Sequence, residues 1–304
     1  MFVINPDPYS SPCFRIGPFQ SKDIGFNFNL PQSSEAEHSF NDKFKNKPHY
    51  YTYNGRSAIG LALSHYNLQS DDFVTILTTS GNTYISKCVT DEISVFCNWN
   101  REINDKTKVI FVNHEFGYIY PKMKELVQLG IPIIEDCCTT LWSQDEEGLV
   151  GHYGDFATYS FPKFFPIQIG GILLDNKGLL TPNHYIEAKT KTYILKVLSH
   201  YVKDLPSILE KRRSVFDFGI KLFESIGLSE RFERTSLEVP SVMMLKTNGI
   251  ITDLNSLKQF LWDHGIQSSI FYGEEAFFLP CNQNLSEAEM SYFFEVISAF
   301  IRKP

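Results

Sequence analysis

The chain has 304 residues, 43% of them hydrophobic and 21% charged, with a formal net charge of −7. That length can bury a substantial core, and one large plus one small domain is the natural expectation. The negative balance argues against a general nucleic-acid binder, which needs a basic surface to neutralise phosphates. No apolar run approaches the roughly 20 residues of a membrane-spanning helix.

The start, Met1-Phe2-Val3-Ile4-Asn5-Pro6, lacks the basic segment and long apolar core of a secretory signal. Six cysteines include the adjacent pair Cys137-Cys138 but no C-x-x-C spacing. They point away from a zinc or disulfide framework and toward a reducing cytoplasm. The first 45 or so residues show no sustained period and read as an arm, packed on the surface by Phe14, Phe19, Phe26 and Phe28. An extended stretch at Tyr50 to Tyr53 then leads into Asn54-Gly55, and a helical pattern opens at Ser57. Apolar strands are expected at Phe73 to Leu77, Ser94 to Asn98, Val109 to Val112 and from Ile131, with helices at Thr83 to Val89 and Met123 to Leu129. Strands alternating with helices imply a largely parallel sheet with helices on both faces, an α/β fold.

Beyond Gly171 the character changes. Tyr185 to Leu228 reads as mostly helical with Pro206 as an interruption, followed by strands at Val239 to Leu245 and Gln267 to Tyr272. Helices are expected at Leu254 to His264, stopped by Gly265, and at Ser286 to Ile301. The division predicted is a large α/β domain over 1–180 including the arm, a connecting helical segment over 181–204, and a small α+β domain over 205–304.

Three stretches carry chemistry. Asn54-Gly55-Arg56-Ser57 sits where a strand turns into a helix; a glycine there lets backbone approach an anion, and helix N-terminal N–H groups bind phosphate. A plain serine near a helix start is the alternative. The hydrolase elbow G-x-S-x-G is missed, because Ile59 replaces its last glycine. His114 lies in His-Glu-Phe-Gly-Tyr, which is not the zinc motif H-E-x-x-H. The apolar run Ile131-Pro132-Ile133-Ile134 stops at Glu135 and Asp136, a buried strand opening into a site. A second strand pattern, Gly154 to Phe161, is followed at once by Lys163, and Gly170-Gly171 leads into a third apolar run. An acid at one strand end and a lysine just past another is what a pyridoxal phosphate enzyme needs: the lysine joins the aldehyde, and the acid holds the ring nitrogen protonated. Any α/β protein of this size also offers strand-end acids and loop lysines.

Over a longer span, "PIIEDCCTT", "GHYGDFATYSF" with its lysine, and the Gly-Gly pair resemble the DegT/StrS family of sugar aminotransferases, with gaps, from about Gly55 to near the C-terminus. The resemblance implies a fold-type I pyridoxal phosphate-dependent transferase. It implies Lys163 as the cofactor-bearing lysine and proton-moving base, and Asp136 beside the ring nitrogen. Gly55, Arg56, Ser57 and Ser160 would hold the phosphate, with Thr139 near the cofactor hydroxyl, Tyr84 over the ring and His114 shaping the substrate side. The implied substrates are a keto sugar nucleotide and an amino donor such as glutamate, in a homodimer that serves surface-polysaccharide or secondary-metabolite sugar biosynthesis. Several positions depart from the family pattern. Thr139 stands where relatives often have Gln, Pro162 alone separates Phe161 from Lys163, Ile169 replaces a common Glu, and a segment that relatives carry after the Gly-Gly pair is missing. A non-catalytic relative that binds a sugar nucleotide or a partner enzyme is the rival reading. Dehydration is a weaker third, disfavoured because the lysine is retained.

Overall fold

The computed structural model describes residues 13–302 and falls into two compact units, one spanning Phe19–Leu205 and the other Pro206–Pro304 together with the start of the chain. The first unit runs α1 (Lys22–Asn29), α2 (Glu35–Lys43), β1 (His49–Thr52), α3 (Gly55–Leu63), β2 (Phe73–Thr78), α4 (Lys87–Ile93), β3 (Asn98–Asn100), β4 (Thr107–Asn113), α5 (Met123–Gln128), β5 (Ile133–Asp136), β6 (Phe156–Ser160), β7 (Gly171–Asp175) and α6 (Ala188–Tyr201). Its seven strands form one sheet in the order β1-β7-β6-β5-β4-β2-β3. The pairs from β3 through β6 are parallel, and β7 runs antiparallel to both β6 and β1.

Strand alternation explains why helices cover both faces. On β4, Val109 and Phe111 enter the cluster built by Ala58, Ile59, Ala62, Val89 and Ile93 of α3 and α4. The intervening Ile110 and Val112 enter a second cluster with Met123 and Leu126 of α5. A strand buried on both faces reads as the continuous run Val-Ile-Phe-Val, as parallel sheets do. Among the described residues no helix is long and apolar enough to cross a membrane.

The second unit holds α7 (Leu205–Glu224, crossing the boundary), β8 (Ser229–Glu230), β9 (Val242–Lys246), α8 (Leu254–Asp263), β10 (Ser269–Ile270), β11 (Ala276–Pro280) and α9 (Glu287–Ile301). Its four-stranded antiparallel sheet, ordered β10-β11-β9-β8, shares one core with the three helices. A capping box, with Ser286 and Glu289 each bonding the other's backbone N–H, fixes the start of α9.

Several elements differ from the sequence-based expectation, each for a local reason. The arm is not one surface segment. Its residues 1–12 lie outside the described residues, and Phe14 bridges to Ile266 and packs edge-on to Phe293 in the second unit. Residues 22–43 form α1 and α2, helices too short and too polar to leave a period; α2 buries Ala36 and Phe40, and its Ala36 N–H is held by the Ser199 hydroxyl of α6. The helix expected at Thr83 begins at Lys87, because Asn82 bonds both the Thr78 hydroxyl and the Tyr84 N–H and keeps that stretch turned. Ser94 to Cys97 then close α4 through bonds back to Thr90 and Ile93, so β3 starts only at Asn98. Pro206 sits in the first turn of α7, where its missing N–H costs nothing; the interruption is the preceding tight turn at Val202–Asp204. The strand β11, Ala-Phe-Phe-Leu-Pro, was not anticipated; all five of its residues are buried, so it shows no alternation.

Candidate active site

Because β2, β4, β5 and β6 are parallel and β1 shares their direction, their carboxyl ends open at one edge of the sheet. Asn54, Thr79, His114, Asp136 and Ser160 follow or end these strands, and Gly171, which opens the oppositely directed β7, lies beside Ser160. The topology therefore gathers residues more than a hundred positions apart.

At one side stands the start of α3. The Asn54 side chain caps it by accepting the Ser57 N–H at 2.9 Å, and the Ser57 hydroxyl also reaches Asn54 at 3.2 Å. The N–H groups of Gly55 and Arg56 open the helix, where no intrahelical acceptor exists. Gly55 is squeezed: a Cβ there would lie 2.6 Å from the Cys138 Sγ and 3.3 Å from the Ser160 Cβ. Gly171 is equally confined, since a Cβ would lie 2.6 Å from the Tyr159 carbonyl and 2.8 Å from the Asn54 carbonyl carbon. These two glycines let three chain segments pack closely at the start of α3. Ser160 and Ser57 lie there, and Arg56 projects into solvent beside them.

Across from that turn lies Asp136, only 6% exposed. Burial lifts its carboxyl above the ordinary value; bonds from Cys138 and the positive charge of the Lys163 amine work in the opposite direction. Its Oδ1 accepts the Cys138 N–H at 3.0 Å and the Thr158 hydroxyl at 3.4 Å. Lys163 follows β6 in the tight turn Phe161–Lys163 and is exposed. The ends of its loop are tied down, Phe161 N–H to the Gly170 carbonyl and Gly170 N–H to the Tyr53 carbonyl. In the middle, the Asn27 amide of α1 donates to the Pro166 carbonyl at 2.7 Å.

Glu135 alternates to the opposite side of β5 and does different work. Its two oxygens accept the N–H groups of Gly151, Tyr153 and Gly154 and the Nε2 of His114. The Nδ1 of His114 accepts the Tyr120 N–H, so the ring proton sits on Nε2, facing Glu135. His114 is fully buried with both nitrogens engaged, and its side chain offers nothing to a substrate. Cys137 joins them within 4.8 Å, but burial pushes its thiol well up, leaving it protonated, and the carboxylate is already saturated. This group is a knot that fixes loop 151–154.

Thr139 donates its hydroxyl to the His114 carbonyl at 3.0 Å. Tyr84 lies half-buried in the loop after β2, its ring 6.0 Å from that of Phe116. Two contributors were missed from sequence, Thr158 and Cys138. Both stand two positions from an identified residue, Ser160 and Asp136; the period of a strand would have placed Thr158 on the face of Ser160, whereas Cys138 lies past the end of β5.

Residues 97–182 match the model of the DegT/DnrJ/EryC1/StrS aminotransferase family. No curated protein matches the chain by sequence. Among solved structures, the aminotransferase TlmJ from Streptoalloteichus hindustanus superposes with a TM-score of 0.75 at 13% identity, covering 94% of this chain and 98% of that one. The sugar aminotransferase CalS13 from Micromonospora echinospora gives 0.68 at 16% identity, covering 97% and 100%. Spr1654 from Streptococcus pneumoniae, solved in apo, PMP and PLP forms, gives 0.72 at 16% identity in its apo form, covering 98% of each chain. The mostly parallel seven-stranded sheet with flanking helices is the fold of these fold-type I aminotransferases.

Proposed function

We propose that this chain, which shares the fold of the DegT/DnrJ/EryC1/StrS aminotransferases and matches their family model over its central segment, is a pyridoxal 5'-phosphate-dependent aminotransferase acting on a keto sugar nucleotide. The observation that carries this reading is the pairing of the buried Asp136 carboxylate with the start of helix α3 at the same sheet edge. Asp136 pays desolvation for being buried, and a protonated ring nitrogen beside it restores a compensating charge. The α3 start, with its dipole and the open N–H groups of Gly55 and Arg56, favours an anion. The residues present thus fit the cofactor.

In this reading the Gly55 and Arg56 N–H groups, the hydroxyls of Ser57 and Ser160 and the Arg56 guanidinium hold the phosphate. Asp136 keeps a proton at the ring nitrogen. Bound pyridoxal phosphate supplies the electron sink that lets the substrate's α-proton leave. Lys163 would hold the cofactor through its amine and would move that proton as a general base. Glutamate as amino donor and a sugar nucleotide as acceptor rest on likeness to the sugar aminotransferases, as does a role in polysaccharide or secondary-metabolite sugar synthesis.

The test is spectroscopic. Purified protein mixed with pyridoxal phosphate should gain a visible absorption band, borohydride should fix the cofactor to the peptide carrying Lys163, and Lys163→Ala should abolish fixation. Fixation at another lysine would move the site. Absence of the band at saturating cofactor would leave the fold as a binding scaffold for a sugar nucleotide or a partner enzyme.

A further inference from the structure

Asp136 has two carboxylate oxygens, and the chain treats them differently. The Cys138 N–H at 3.0 Å and the Thr158 hydroxyl at 3.4 Å both fall on Oδ1, and the Cys138 thiol also bonds to the carboxyl group. Among the described residues no N–H or hydroxyl donor falls on Oδ2. The two donors come from different elements: Cys138 follows β5, and Thr158 lies on β6 directly in register with Asp136. Thr158 is fully buried, and its carbonyl accepts the Cys137 N–H at 2.9 Å, so its backbone is tied to the residue after Asp136. A buried hydroxyl needs a partner, and Thr158 has the Asp136 carboxylate at 3.4 Å with the Cys138 sulfur at 3.9 Å.

We propose that Thr158 is a positioning residue for the reaction: with the Cys138 N–H it pins Oδ1, so that Oδ2 alone is turned to the cofactor's ring nitrogen. The inference rests on the reading of Asp136 as the partner of that nitrogen, and it assigns the orientation to a side chain that never touches the cofactor. Two anchors on one oxygen stop rotation about the last side-chain bond, which is broad and two-fold for a carboxylate. A pinned carboxylate meets the ring nitrogen without ordering anything at the moment of binding. Thr158 donation also stabilises the charged carboxylate, so losing it makes Asp136 hold its proton to higher pH.

The experiment compares wild type with Thr158→Val, which keeps the shape and removes the hydroxyl, and Thr158→Ser, which keeps the hydroxyl. Pyridoxal phosphate affinity is measured by absorbance titration across pH, with circular dichroism and Tm as controls for folding. The expected result is an affinity roughly threefold to tenfold weaker in Thr158→Val, the effect of one hydrogen bond. Its acid-side loss of affinity should begin at higher pH, and Thr158→Ser should bind within about twofold of wild type by the same reasoning. If the valine variant does not fold, Thr158→Ala makes the same comparison without the added bulk. A hydroxyl-free variant that binds with wild-type affinity and an unmoved acid limb would overturn the inference while leaving the cofactor reading intact. A wild-type protein that binds no pyridoxal phosphate would overturn both.

Discussion

Adjacent acids at the end of one strand have opposite assignments here, and alternation alone separates them. Glu135 faces loop 151–154 and is saturated by three N–H groups and His114, whereas among the described residues no N–H or hydroxyl donor falls on the second oxygen of Asp136. Asp136→Asn tests the consequence. The carboxyl's folded-state value is raised, so its contribution to stability is complete below the ordinary value of 3.8 and is lost as pH rises through the folded one. At neutral pH, cofactor-free Asp136→Asn should therefore melt no lower than wild type, and wild type should regain ground as pH falls toward the ordinary carboxyl range. Cofactor affinity should move the other way, weakening by roughly 1.5–3 kcal/mol with the loss of a charge-assisted contact. Melting curves against pH and a pyridoxal phosphate titration read the two effects separately. Unchanged affinity would reduce Asp136 to a strand-end acid.

At the scale of elements, the site depends on α3 and β5 approaching more closely than side chains normally allow. Gly55 at the helix start lies against the Cys138 Sγ, and a Cβ would have to fit within 2.6 Å of it. Gly55→Ala should cost about 1–3 kcal/mol of stability, the usual size of overpacking, and should weaken phosphate binding because α3 must withdraw. Cys138→Ala removes the sulfur from the contact, so adding it to Gly55→Ala should restore part of both losses. A double-mutant cycle on urea unfolding measures the coupling. Additive effects of the two changes would show that Gly55 is confined by something other than the sulfur. The sequence pattern Asn-Gly-Arg-Ser announced the turn, but the identity of its neighbour, 83 residues on, is a matter of packing.

On the scale of the whole molecule, α1 is built inside out. It buries Asp23 and Asn27, while Ile24 and Phe28, one turn apart, are 53% and 73% exposed. Asn27 is not idle, since its amide holds the Pro166 carbonyl in the loop that follows Lys163. We propose that this apolar face contributes to a homodimer contact, because exposed apolar clusters tend to be covered by partners. Sedimentation should give a dimer at micromolar concentration, and Ile24→Glu with Phe28→Glu should shift it toward monomer without loss of helical signal. A wild-type monomer, with and without cofactor, would count against the proposal.

By itself the sequence determined the parts whose signals are local. Val109 to Val112 and Ile133 to Asp136 are strands because runs this apolar must be buried, and the acids that stop the second mark its open end. The stretch from Gly154 to Gly171, with its serine, lysine and paired glycines, was legible in the same way and by resemblance. Tertiary structure decided the rest. Helices α1 and α2 carry too few apolar residues to announce themselves and exist because α6 and loop 164–170 give them partners. The place of His114 in a buried knot, and of Thr158 behind Asp136, follows from register between strands whose paired residues lie 22 or 23 positions apart in sequence. A spacing within one strand fixes which face a side chain takes, but only the pairing of strands fixes what it meets there.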